Sequence, residues 1–181
     1  MKSCIALIGF MGSGKSTVGR ILSRSLGLQF VDTDAAIETD CGLSVREIFR
    51  LKGESYFRQA ESLVLTHCFE SEKCVLATGG GLWMNEENQK RLLRDAWCVW
   101  LKVNPEQAWE RVRHNLAERP LLAGAEDPRL KIQELLLKRD PIYALAHACV
   151  DTTGKTPEEV SWVLMKKLKE QRPFDLSALS L

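Results

Sequence analysis

Gly9-Phe10-Met11-Gly12-Ser13-Gly14-Lys15-Ser16-Thr17 is the stretch that decides the fold of this 181-residue chain. It fits G-x-x-x-x-G-K-[ST], and the pattern has a physical basis. Glycines let the backbone curl so that successive N–H groups point inward at phosphate oxygens. A helix starting just behind the loop adds its positive N-terminal end. Gly12, Ser13, Gly14, Lys15, Ser16 and Thr17 are the expected nucleotide contacts. Lys15 is expected to reach the β- and γ-phosphates, and Ser16 to offer its hydroxyl to Mg²⁺, a hard cation that takes oxygen ligands. The flanks agree: the apolar run Cys4–Ile8 precedes the loop, and the helical pattern Lys15–Leu26, stopped by Gly27, follows it.

Outward from the loop, apolar runs alternate with helical patterns. Strands are expected at Cys4–Ile8, Gln29–Val31 (ending at Asp32), Cys74–Ala77, Trp97–Leu101 and Ala148–Asp151. Ser44 with Glu47 makes a capping box, and Glu54–Glu70 is a long amphipathic helix. Asn85 caps a helix to Arg94. Asn104-Pro105 and Asp127-Pro128 each put proline at a first helical position, the second helix reaching about Arg139. Thr156-Pro157 opens the last helix, which runs to about Glu170. Strands alternating with helices of roughly 10–15 residues argue an α/β fold, a parallel sheet with helices on both faces. His114–Glu126 holds Pro and Gly without a period and reads as a mobile surface loop. Residues 1–170 are expected to form a single domain, with 171–181 a C-terminal tail.

Composition narrows the partners. Lys plus Arg total 25 and Asp plus Glu 24, a formal charge of +1, so no broad nucleic-acid or membrane footprint is expected. No stretch approaches the ~20 apolar residues of a membrane span. The N-terminal apolar run is too short for a signal segment, so a cytoplasmic location is expected. Six cysteines show no CxxC spacing and no zinc pattern. Cys4, Cys74, Cys98 and Cys149 lie in β-like runs and read as small buried hydrophobes. Trp97, Trp100, Trp109 and Trp162 read as full or partial core. None of His67, His114 and His147 is chosen as a catalytic base.

A phosphate cradle with Mg²⁺ needs a second oxygen ligand. The third and fourth strands end without an acid, so Asp32 and Asp34, closing the second strand, are the candidates. Parallel sheets bind ligands beyond the carboxyl ends of their strands, which brings both acids to the P-loop edge. One can hold the metal while the other accepts a proton from a substrate hydroxyl or orients it. The structural alternative is an Asx turn with a helix N-cap at Asp34. A GTPase-like reading lacks its Asn-Lys-x-Asp signature.

Four further motifs follow in order: Phe57-Arg58-Gln59-Ala60-Glu61, Gly79-Gly80-Gly81, Arg119-Pro120-Leu121-Leu122 and Arg139-Asp140-Pro141-Ile142-Tyr143. With the P-loop and Asp32-Thr33-Asp34, the set resembles the shikimate kinase family over about residues 4–170. The resemblance implies a P-loop fold of the nucleoside monophosphate kinase type, with five parallel strands in the order 2-3-1-4-5. It implies substrate-binding helices at about 34–61 and a lid at about 114–126. The implied reaction carries the γ-phosphate of ATP to the 3-hydroxyl of shikimate, a step toward aromatic amino acids, with one Mg²⁺. Lys15, Asp34 and Arg119 are then the expected catalytic residues, Arg119 reaching the phosphates from the lid. Asp34, Arg58, Gly80, Gly81 and Arg139 are expected to bind substrate, the two arginines taking its carboxylate. Ser16 and Asp32 are expected to hold the metal. Val45, Phe57 and Glu61 are expected nearby, Glu61 pairing with Arg58 three residues away on the helix.

These roles suit the chemistry. A guanidinium is a planar fork matched to a carboxylate. A glycine run gives substrate close access to backbone donors. Phosphoryl transfer needs positioning and charge neutralisation more than covalent chemistry. On the adenine side the candidates are Arg113 and Gly154–Pro157 with Lys155, and Arg111 is an alternative to Arg113. Leu82-Trp83 departs from the smaller residues expected after the glycine run. Two other readings remain: a gluconate- or nucleotide-type kinase on the same sheet, and a non-catalytic nucleotide-binding module. A monomer is expected.

Overall fold

The computed structural model describes residues 4–70, 73–119, 121–122 and 124–171, without the side chains of residues 117 and 118. Pro120 and Ala123 of the expected lid and residues 172–181 of the expected tail lie outside the described residues. Strands β1 (Cys4–Ile8), β2 (Gln29–Asp32), β3 (Cys74–Ala77), β4 (Ala96–Lys102) and β5 (Ala148–Asp151) form one sheet. Its order is β2-β3-β1-β4-β5 and every pairing is parallel. The central strand β1 is fully buried, as an all-apolar strand covered on both faces should be. Its side chains alternate: Cys4, Ala6 and Ile8 join one apolar cluster, Ile5 and Leu7 the other.

Helices α1 (Lys15–Leu26) and α7 (Pro157–Gln171) cover the second cluster through Val18, Leu22, Leu26, Val160, Leu164 and Leu168. The first cluster lies under α2 (Thr33–Cys41), α3 (Val45–Glu70), α4 (Glu86–Asp95), α5 (Pro105–Val112) and α6 (Pro128–Tyr143). Among the described residues, no helix is long and apolar enough to cross a membrane.

The capping box forms: Ser44 N donates to Glu47 Oε2 at 2.9 Å and Glu47 N to Ser44 Oγ at 3.3 Å. α3 breaks at Gly53, whose φ of 81° is non-helical, and Phe57, Arg58 and Glu61 lie on the part beyond the break. α6 continues past the expected stop near Arg139, taking Pro141 within it. One lost N–H does not end the helix, because Ala144 N still reaches Asp140 O at 2.9 Å. The start of the expected loop His114–Glu126 falls within a 3-10 helix, Arg113–Glu118.

Two burial expectations fail. Cys149 is exposed, because β5 is an edge strand. Trp162 is 62% exposed on the outer face of α7, so it is not core. Cys4, Cys74 and Cys98 are buried as expected.

Candidate active site

The carboxyl ends of β1, β2 and β3 meet the starts of α1 and α2, so the P-loop, the two aspartates and the glycine run share one sheet edge. The loop turns through positive φ at Gly9, Gly12 and Gly14 before entering α1. Lys15 Nζ folds over it, donating to Gly9 O at 2.9 Å and Phe10 O at 2.8 Å. Burial lowers the Lys15 ammonium to about 8, opposed by the attraction of Asp34 and Asp32. Ser13 is buried, and Thr17 faces outward.

Asp32, not Asp34, is the N-cap of α2. Its Oδ1 accepts from Asp34 N at 3.2 Å and Ala35 N at 3.4 Å. Its Oδ2 accepts from Ser16 Oγ at 2.6 Å. That pair places a hydroxyl and a carboxylate oxygen side by side at the P-loop, a donor set suited to a hard divalent cation. Capping by Asp32 leaves the Asp34 side chain unused locally. Asp34 Oδ1 is buried with no hydrogen-bond partner among the described residues. Burial, with Asp32 next, raises the Asp34 carboxyl to about 6, against the pull of Lys15.

The glycine run 79–81 is where separate elements converge. A Cβ at Gly79 would land on the Asp34 carboxylate. A Cβ at Gly81 would sit 2.7 Å from Arg58 Nη1, and one at Gly80 would be 4.0 Å from Arg139 Nη1. Asp34 from α2, Arg58 from α3 and Arg139 from α6 therefore close on three consecutive residues. The run is anchored at one end by Gly79 N donating to the buried Thr33 Oγ1 at 2.7 Å. Its carbonyls are taken: Gly79 O accepts from Leu82 N, Gly81 O from Met84 N, and Gly80 O from Arg139 Nη1 and the Tyr143 hydroxyl, both at 3.1 Å. What the Gly80–Gly81 turn can still offer a ligand is its amides.

Arg58 is held on two sides. Nη1 donates to Glu61 Oε2 at 2.7 Å, and Nε and Nη2 donate to Glu54 Oε1 at 3.2 and 2.9 Å. Glu61 is fully buried, which raises its carboxyl to about 7 against the opposing hydrogen bond from Arg58. The expected Arg58–Glu61 pair is thus present, with Phe57 buried beneath it. Val45 packs against the same apolar cluster as Phe57. Arg119 is half-buried, and its Nε is enclosed without a hydrogen-bond partner among the described residues. It lies close enough to Lys15 and Asp34 to act electrostatically on both.

On the adenine side the two arginine candidates part. Arg111 Nη1 donates to Gly12 O at 2.8 Å. With the Gln107 amide oxygen turned toward them, Arg111 Nη2 and Gly154 N also meet there, at 3.2 and 3.3 Å. Arg113 instead pairs with Glu110 at 3.0 Å and is largely exposed, as is Lys155. The signal was present in α5. Buried Ala108 and Val112 define its inner face, and Arg111 is three residues from Ala108 on that face, whereas Arg113 is not. Trp83 is buried and donates to Ile142 O at 2.9 Å, joining the end of α6.

A family model described as shikimate kinase matches residues 11–169. The shikimate kinase of Moorella thermoacetica is 44% identical over 169 residues, 93% of this chain and 96% of that protein. That of Thermodesulfovibrio yellowstonii is 42% identical over 163 residues, 90% and 93% of the two chains. Among solved structures, shikimate kinase from Acinetobacter baumannii in complex with shikimate superposes with a TM-score of 0.88 at 33% identity, covering 96% of this chain and 97% of that one. On that coverage and identity, the chain belongs to the shikimate kinase family.

Proposed function

We propose that this chain transfers the γ-phosphoryl group of ATP to the 3-hydroxyl of shikimate, giving shikimate 3-phosphate and ADP. The observation that carries the reading is the convergence of Asp34, Arg58 and Arg139 on Gly79–Gly81, next to the phosphate loop. An anionic polyol presents two things to a protein, a carboxylate and hydroxyls. Arg58 and Arg139 offer two guanidinium forks for the first. The unpartnered Asp34 oxygen and the Gly80 and Gly81 amides serve the second.

Asp34 faces the attacking hydroxyl in this reading. Held near 6, it is ionised at neutral pH yet more basic than an ordinary carboxylate, which suits a group that accepts the hydroxyl proton as the O–P bond forms. Lys15 and Arg119 bring positive charge to the transferring phosphoryl group, and their attraction stabilises the charge spread over its oxygens. The Ser16–Asp32 oxygen pair fits one Mg²⁺ arriving with ATP, which when bound would neutralise the β- and γ-phosphates. Gly12–Thr17 hold the phosphates. On the adenine side, Arg111 with the turn around Gly154 is better placed than Arg113, because Arg111 is braced against the P-loop itself. Residues 1–170 act as a single catalytic unit and the working form is a monomer.

ADP release with shikimate, gluconate and AMP, each supplied alone with Mg·ATP, tests the reading. Shikimate is expected to give the highest kcat/KM by orders of magnitude. A preference for gluconate or AMP would overturn the assignment, and slow ATP hydrolysis indifferent to all three would identify a nucleotide-binding module instead.

A further inference from the structure

We infer that Trp83 and Tyr143 are positioning residues for the acid substrate, a strap that ties the end of α6 to the glycine run and so sets the reach of Arg139. This rests on the proposed reaction and goes beyond it. The need for a strap is local. Arg139 lies in the last part of α6, and Pro141 follows two residues later. Proline supplies no N–H, so the last turn keeps the Ala144 N–Asp140 O bond but lacks one of its own, and bonds from outside add to its hold.

Two such bonds come from residues without a role in binding. The Tyr143 hydroxyl donates to Gly80 O at 3.1 Å, the carbonyl that Arg139 Nη1 also uses. The Trp83 indole donates to Ile142 O at 2.9 Å, where Leu145 N also arrives at 3.3 Å. Both side chains are almost fully buried, Tyr143 against the Trp100 ring with centroids 6.1 Å apart. The two bonds run in opposite directions, one from the helix to the glycine turn, the other from just beyond that turn to the helix. Together they hold the Gly80 amide and the Arg139 fork at one spacing. That spacing is what a rigid ring carrying a carboxylate and hydroxyls would sense. ATP makes no use of it.

The test is steady-state kinetics on Trp83→Phe, which keeps an aromatic ring and removes the N–H, and on Tyr143→Phe, which removes only the hydroxyl. Each is expected to raise the shikimate KM about three- to tenfold, the range for losing one hydrogen bond, with ATP KM and kcat within about twofold of the parent. The double variant should raise it by less than the product of the two, because both act on one clamp. An unchanged shikimate KM in Tyr143→Phe, or an equal rise in ATP KM, overturns the inference, even should Trp83→Phe fail to fold. Absence of shikimate turnover in the unmodified protein overturns the reaction and this inference together. Turnover with a flat shikimate KM in the variants overturns this inference alone.

Discussion

Replacing Asp34 by Asn should make the protein more stable and nearly inactive. The carboxyl is moved from 3.8 to about 6 by burial and by Asp32. A shift of roughly two units, at about 1.4 kcal/mol per unit, means that ionised Asp34 costs the ligand-free folded state about 3 kcal/mol. The sign follows from the folded value lying above the unfolded one. Below 3.8 both states carry the proton and Asp34 has no net effect; between there and about 6 the folded state binds it more tightly, so stability declines as pH rises through that window. Above about 6 the full cost is present. Asparagine is a neutral near-isostere and removes it. Thermal unfolding of the ligand-free variant at pH 7.5 should therefore show a gain of up to about 3 kcal/mol, or roughly 6–12 °C for a domain of this size. At pH 4 the gain should almost vanish. Turnover should fall by about 10²–10⁴-fold, the range for a lost general base. No stabilisation at pH 7.5, or the same gain at both pH values, would refute the argument that a strained carboxylate is kept for chemistry; turnover within a few fold would refute its catalytic role.

Arg58→Ala should raise the shikimate KM by about 10–100-fold while ATP binding stays nearly intact, since a charge-assisted contact contributes about 1.5–3 kcal/mol; equal loss of ATP affinity in a titration would contradict the role. Arg111→Ala should do the converse, raising ATP KM with shikimate KM unchanged, because it braces Gly12 from α5. In a pH series, kcat/KM should fall below about 6 as Asp34 gains its proton and fall again above about 8 as Lys15 loses its own. The acid limb should vanish from the residual activity of Asp34→Asn.

Much of this was legible in the residues because local rules and the global fold agreed. The P-loop fixed β1 and α1, and the Pro and Asn/Asp signals placed the starts of α4, α5, α6 and α7 close to where they are found. Asp32, Asp34, Arg58 and Arg139 could be named, and the resemblance implied that Asp34, Arg58 and Arg139 meet around one substrate, but no spacing along the chain reveals that three elements close on three successive glycines. Helix at α2 was expected only through the resemblance, which implied substrate-binding helices at about 34–61; its mixed sequence, Thr33–Cys41, has hardly any apolar stripe, and only the Asp32 cap marks its start. Trp162 and Cys149 were misplaced by apolarity, which reports the residue type and not which side of an outer helix or edge strand it occupies. Arg111 and Arg113 could have been separated by following the inner face of α5 through Ala108 and Val112.

The two glutamates around Arg58 differ in a way that matters for what enters the pocket. Glu61 is sealed in, whereas the Glu54 side chain is 65% exposed and holds the outward edge of the guanidinium. The two carboxylates take three of the five N–H groups of Arg58 and leave one on each of Nη1 and Nη2. In the proposed reaction those two form the fork a substrate acid would meet, and displacing the exposed Glu54 would free a further edge. An acid can make that exchange and a neutral polyol brings no charge to it, so the glutamates favour an anionic guest over a neutral one of the same shape.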